Sequence, residues 1–86
     1  MAYSQVPDKV EVYVNKHPLA IQGRYLVVNH YDDVEGFANV YEQDVEGVWE
    51  SDLKALDEIA DLINCNNWTL HKTLEKEWFD PKLEVQ

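Results

Sequence analysis

The 86-residue sequence predicts a single α+β domain, a small antiparallel β-meander of three to four strands with an amphipathic helix packed on one face. Two observations predict it: early segments alternate apolar and polar residues, and a later segment repeats apolar residues at helical spacing. A third excludes intrinsic disorder, because 45% of the residues are hydrophobic and 12% are aromatic, which provides enough apolar surface to form a core.

The first strand is predicted from the alternation of Val10, Val12 and Val14 with polar neighbours, which is typical of a strand with one buried face. Residues 1–8 show no clear period and are expected to form a loosely ordered start. Residues 16–23 contain a proline and a glycine, which favour a connection between strands.

The next two strands are predicted at Arg24–Tyr31, which is dense in β-formers, and at Phe37–Gln43. The tetrapeptide Asp-Val-Glu-Gly occurs on both sides of the second of these, at Asp33–Gly36 and at Asp44–Gly47. Asp at the first position of a turn and Gly where φ is positive predict a tight reversal in each copy. The spacing therefore indicates a meander in which Phe37–Gln43 is the middle strand.

Val48 and Trp49 are expected to lead into a helix from Asp52 to Asn64, with Ser51 as the N-cap. Asp52 is interpreted as an acid that is favoured by the helix dipole. The acids of this segment are expected to face solvent, and an asparagine-rich stop is expected at residues 64–67. The apolar face is predicted to comprise Leu53, Leu56, Ile59, Ala60, Leu62 and Ile63.

Residues 68–79 are ambiguous, because Leu70, Leu74 and Trp78 lie at intervals of four, which fit a helical face and an alternating strand equally well. Thr69 as a cap and the helix-forming run at residues 74–77 slightly favour a second, C-terminal helix over a strand that returns to the sheet. Residues 82–86 are expected to form a polar tail.

The net charge of −10 lies within one third of the chain, where the single base Lys54 opposes eleven acids. Such a field repels nucleic acid and attracts basic surfaces, so direct nucleic-acid binding is not expected. The eleven acids are Asp32, Asp33, Glu35, Glu42, Asp44, Glu46, Glu50, Asp52, Asp57, Glu58 and Asp61.

No catalytic residues, metal site or cofactor are predicted. His17, His30, His71 and Cys65 fall in no arrangement that joins a nucleophile to a base and an orienting group. The acids lack the spacing of a calcium-binding loop, and three separated glycines cannot form a nucleotide-binding loop. We therefore expect a protein that is not an enzyme.

The sequence has no long apolar run that could span a membrane and no apolar core of a signal peptide. Its one cysteine cannot form an internal disulfide, which fits a reducing compartment. A cytoplasmic location without membrane partners is therefore expected, and the oligomeric state is left open.

Two acidic clusters are expected, because the acids flank the predicted middle strand and lie roughly 20–30 Å apart at its ends. The smaller cluster comprises Asp32, Asp33 and Glu35, and Tyr31, Tyr41 and Trp49 are candidate anchors beside the acids. The larger cluster is predicted to bind the partner and comprises Glu42, Asp44, Glu46, Trp49, Glu50, Asp57, Glu58 and Asp61.

These features predict a non-enzymatic acidic protein that occupies a basic surface of another protein, most simply a nucleic-acid-binding enzyme. In size and charge the chain is similar to the small DNA-mimic inhibitors that phages and mobile elements use against restriction, repair or CRISPR nucleases, although no family motif is matched. The alternative is a structural or adaptor module that binds through aromatic surface or a strand edge, with acids that serve only solubility.

Overall fold

The computed structural model describes residues 6–15, 24–44 and 46–79, which form a five-stranded antiparallel sheet with one helix packed on it. The predicted α+β class is confirmed. Across the sheet the strands lie in the order β4-β3-β2-β1-β5, so β1 to β4 form a meander and β5 pairs with the free side of β1. In chain order the elements are β1 Lys9–Asn15, β2 Arg24–His30, β3 Phe37–Gln43, β4 Trp49–Ala55, α1 Leu56–Cys65 and β5 Thr69–Glu75.

The first three strands lie where their sequence pattern predicted them. Val12 in β1 pairs with Val27 in β2, which in turn pairs with Tyr41 in β3. Val10 and Val12 are fully buried, as the period-two alternation of β1 required. The central part of the sheet is therefore determined by strand patterning.

Both copies of Asp-Val-Glu-Gly reverse the chain and contain a glycine with positive φ, +79° at Gly36 and +87° at Gly47. The second copy begins as predicted, since the Asp44 carbonyl accepts from the Gly47 amide at 3.0 Å. For the first copy the predicted first position is wrong: the reversal begins at Tyr31, whose carbonyl accepts from the Val34 amide at 3.0 Å. Identical tetrapeptides thus occupy different positions in their turns.

The predicted start of the helix at Asp52 is wrong, and so is the predicted N-cap at Ser51. Residues 49–55 form β4, which pairs along the whole of β3, from Gln43 opposite Trp49 to Phe37 opposite Ala55. A full ladder of hydrogen bonds with a neighbouring strand outweighs the weak local preference for a cap. Asp52 is therefore a strand residue opposite Val40, and the helix dipole does not explain its presence.

The helix α1 begins at Leu56, whose amide donates to the Gly36 carbonyl at 3.1 Å. Ile59 is buried and Leu62 and Ile63 are half-buried against the sheet, as predicted. The rest of the predicted apolar face is wrong: Leu53 is 48% exposed, Leu56 is 43% exposed, and Ala60 also faces solvent. Because residues 52–55 belong to β4, the helix lacks the first turn that the predicted apolar face included.

The asparagine-rich stop is confirmed. Asn66 closes α1, with its amide and its side chain both donating to the Leu62 carbonyl, and Asn67 adopts a left-handed φ of 59°. The slight preference for a C-terminal helix is wrong, because Thr69–Glu75 forms β5 on β1. An interval of four residues fits a helix and a strand equally well. The segment forms a strand because it can pair with the free edge of β1.

The sheet has an apolar cluster on each face. The helix face carries Leu26, Val28, Ala38 and Val40, and α1 and Trp68 cover these residues. We call the opposite side the open face, because no helix of the described residues covers it. Its cluster consists of Val10, Val12, Val27, Tyr25, Tyr41, Trp49, Leu74 and Phe79.

Several expectations fall on residues 1–5, 16–23 and 82–86, which lie outside the described residues. Within the expected loose start, Pro7 is buried and the Asp8 carboxylate accepts from the Asp32 amide at 2.6 Å. Among the described residues, no helix is both long enough and apolar enough to cross a membrane.

Candidate acidic recognition surface

The β4 strand forms one edge of the sheet and places acids along it. Directly paired residues of antiparallel strands project from the same face, so Glu50 and Asp52 lie on the helix face with their partners Glu42 and Val40. Glu42 and Glu50 are therefore two like charges directly opposite each other. The prediction of a helix from Asp52 did not anticipate that Glu50 pairs with Glu42.

The two acidic turns lie at the two ends of β4. Asp44 and Glu46 belong to the turn before it, and Asp32, Asp33 and Glu35 belong to the turn that meets the start of α1. The strand between these turns has seven residues and carries Glu50 and Asp52. At about 3.3 Å per residue it is about 23 Å long.

The helix α1 begins at the end of β4 beside the turn that contains Asp32 and Glu35, and not beside Asp44 and Glu46, with which the sequence analysis had grouped its acids. Asp57 and Asp61 are one helical turn apart on the side away from Ile59, and both are exposed. Together, Glu42 of β3 and the acids of β4, of both turns and of α1 form what we call the acidic edge. It consists of Asp32, Asp33, Glu35, Glu42, Asp44, Glu46, Glu50, Asp52, Asp57, Glu58 and Asp61.

Within the part of the chain that the structure describes, the acidic edge has one ion pair, between Lys54 Nζ and Asp52 Oδ2 at 3.6 Å. The acids are also spread rather than convergent, since no three potential metal ligands among the described residues come together. Most of the negative charge therefore faces solvent without a partner, which is the state expected of a surface that attracts cations.

Two acids of the edge have structural roles of their own. The Asp44 carboxylate accepts from the amides of Glu46 at 2.8 Å and Val48 at 2.9 Å, which stabilises the turn. Glu58 Oε1 accepts from the Ala55 amide at 3.3 Å at the start of α1. Both residues were predicted to bind the partner, but their hydrogen bonds are a sufficient reason for an acid at each position.

Glu11 is a further acid, but it lies on β1 and is hydrogen-bonded within the domain. Its Oε1 is 2.7 Å from His30 Nε2. Burial raises the pKa of the neighbouring Tyr13 hydroxyl above 10.0, and the negative charge of Glu11 raises it further. We therefore exclude Glu11 from the acidic edge.

Of the three aromatic residues predicted as anchors, Tyr31 lines a cavity with Asp32 and Glu35, whereas the other two lie on the open face. Tyr31 is buried, and it is not available as a surface anchor. Tyr41 and Trp49 pack in the cluster on the open face. Because side chains alternate along a strand, Trp49 and Glu50 are neighbours in the chain but project from opposite faces.

Tyr41 and Trp49 instead line a pocket on the open face with a volume of about 300 Å³. Sequence reasoning missed Asn29 and did not assign Trp78 or Phe79 to a site. The available signal was Asn29 itself, a single amide after a run of apolar β-formers. The pocket is lined by Val27, Asn29, Tyr41, Trp49, Trp78 and Phe79.

Comparisons with known proteins identify no relative of this chain. No protein-family model matches it, and no curated protein and no solved structure matches it either.

Proposed function

We propose that this protein is a non-enzymatic binding protein whose acidic edge occupies a basic, nucleic-acid-binding surface of another protein. The observation that carries the proposal is the position of Glu42 and Glu50, which face each other across β3 and β4. Like charges directly opposite each other destabilise a sheet. A basic partner would remove this repulsion, which gives the arrangement a reason that folding does not provide.

The density of charge along the edge supports mimicry of nucleic acid. Duplex DNA carries one phosphate charge per about 1.7 Å of axis, so eleven charges correspond to about 19 Å of duplex. The acidic edge brings eleven carboxylates to β3, β4, the two turns and α1, with Lys54 as the single base in that part of the sequence. A basic groove that accepts a short duplex would meet a comparable number of charges on this protein.

This proposal places the chain in the functional class of small inhibitors that block restriction, repair or CRISPR nucleases, the class that phages and mobile elements encode. It also implies a cytoplasmic site of action, where such nucleases work. Charge of this kind accelerates and orients the encounter with a partner, while packed side chains provide most of the affinity.

A second candidate function is supported by the backbone of β4. An edge strand can pair with a strand of another protein, and β4 carries Leu53, which is 48% exposed. In this adaptor function the acids would serve only solubility. The two functions differ in salt dependence, because hydrogen bonds between strands and apolar contacts respond weakly to ionic strength.

The experiment is a pull-down from a bacterial lysate with the immobilised chain at low and at high salt, read by quantitative mass spectrometry. The test variant is E42Q/E50Q, and the matched control is E75Q/E77Q. The control changes the net charge by the same amount, but at exposed residues in β5 and just after it. We expect nucleic-acid-binding proteins to be enriched at low salt, released at high salt, lost with E42Q/E50Q and retained with E75Q/E77Q.

Thermal unfolding should show E42Q/E50Q to be at least as stable as the parent chain, because the substitutions remove a repulsive pair. A loss of binding then reflects the surface and not the fold. Equal enrichment with all three proteins, or enrichment that resists high salt, would favour the adaptor function.

A further inference from the structure

We propose that the pocket on the open face binds an arginine side chain of the basic partner, an inference that rests on the proposed function and names the chemistry of its contact. The pocket combines a buried hydrogen-bond acceptor, four aromatic side chains and a strongly negative molecule around it. Each of these features selects a different property of the guanidinium group.

The acceptor is Asn29 Oδ1. Asn29 is only 3% exposed, and its Oδ1 is withdrawn from solvent with no hydrogen-bond partner among the described residues. A buried acceptor that is left unpaired destabilises the fold, so each such group calls for an explanation. A ligand that brings an N–H donor to this oxygen recovers the lost hydrogen bond.

The aromatic lining selects a flat cation. Tyr41, Trp49, Trp78 and Phe79 form most of the pocket, and Trp78 is 47% exposed, so it can adjust around a ligand. Aromatic faces attract cations, and a planar guanidinium also stacks on them. The chain already contains one such contact, with the Arg24 guanidinium 5.3 Å from the centre of the Trp68 ring.

A cation and a neutral ring with an N–H group could both donate a hydrogen bond to Asn29. The net charge of the protein favours the cation. The net charge is −10, and none of the six lining residues is charged. A negative net charge favours a cation over a neutral ligand at a pocket whose own lining is uncharged. Arginine fits better than lysine, because its guanidinium is more weakly hydrated and presents five donors in a plane.

The test titrates the full chain with N-acetyl-arginine amide and follows amide and indole N–H resonances by NMR. Citrulline amide, which has the same shape without the charge, and N-acetyl-tryptophan amide, a neutral ring with a donor, serve as comparisons. We expect saturable shifts at Asn29, Trp49 and Trp78 with the arginine derivative, and binding of both comparisons at least about tenfold weaker. Trp68 is the internal control, because it lies on the helix face.

The variant N29L should lower the affinity for the arginine derivative about tenfold while preserving the fold, because a leucine of similar size needs no hydrogen bond. If N29L fails to fold, the comparison with citrulline on the parent chain still tests the inference. Equal binding of citrulline or of the tryptophan derivative, or shifts confined to the acidic edge, would overturn it.

This result is separable from the proposed function. In E42Q/E50Q the arginine derivative should still shift Trp49 and Trp78, because both substitutions are on the other face of the sheet. Enrichment of basic partners with no response of the pocket would refute only the pocket. A responsive pocket with no enrichment of any partner would refute only the role of the acidic edge.

Discussion

Asp44 and Asp33 hold the same position in two copies of one tetrapeptide, yet their side chains do different things. Asp44 accepts two backbone hydrogen bonds within its turn, from Glu46 and Val48. Asp33 is exposed and makes no hydrogen bond or ion pair with the described residues, because its reversal begins at Tyr31. Only the Asp33 side chain is therefore free for a partner.

Replacing Asp44 by Ala should reduce the free energy of unfolding by about 1–2 kcal/mol, because two turn amides lose their acceptor. The matched change at Asp33 should alter it by less than about 0.5 kcal/mol. Urea denaturation at constant salt measures both. Equal effects of the two substitutions would contradict the different roles assigned to the two copies.

At the scale of elements, the central sheet was predictable and its edges were not. Val10, Val12 and Val14 in β1 carry a local signal, since burial of one face imposes the alternation. Ser51, Asp52 and the spacing of Leu53 and Leu56 carried an equally local signal for a helix, but pairing with β3 overrode it. Periodicity within residues 49–56 does not reveal this pairing, and the predicted turn at Asp44–Gly47 was the one sequence signal for a returning strand.

The same limit applies to the two surfaces. The eleven acids were evident from composition, and the predicted bounds of β3 put an acidic turn at each of its ends. The position of Glu50 and Asp52 depends on the pairing of β4 with β3, and the pocket depends on Trp78 meeting Asn29 across almost 50 residues of chain. The second of these contacts has no signature in the sequence.

The helix α1 is attached to the sheet mainly through Ile59, which is 5% exposed. Replacing Ile59 by Ala should therefore reduce the free energy of unfolding by about 2–4 kcal/mol. Leu56 lies on the same helix and was predicted on the same face, but L56A should cost less than about 1 kcal/mol because Leu56 is 43% exposed.

Urea denaturation of both variants tests this difference. If I59A does not fold, I59V provides a smaller change of about 0.5–1.5 kcal/mol at the same site. A larger loss for L56A than for the substitutions at Ile59 would mean that the helix packs on the face that its sequence suggested.

The whole molecule presents two surfaces of different chemistry on one thin sheet. The acidic edge follows β4 and α1 on the helix face, and the aromatic pocket lies on the open face with Trp49 in its wall. A partner that contacts both must wrap around the β4 edge. In that complex the edge would guide the approach through charge, and the pocket would supply a buried contact.

The central claim is that the acidic edge occupies the nucleic-acid site of its partner, and competition tests it most directly. The measurement titrates short duplex DNA into the complex of this chain with a captured partner at constant salt and follows the fraction bound. The account predicts complete displacement, with the apparent dissociation constant of the chain rising in proportion to the DNA concentration. A stable ternary complex of partner, DNA and this chain would contradict it.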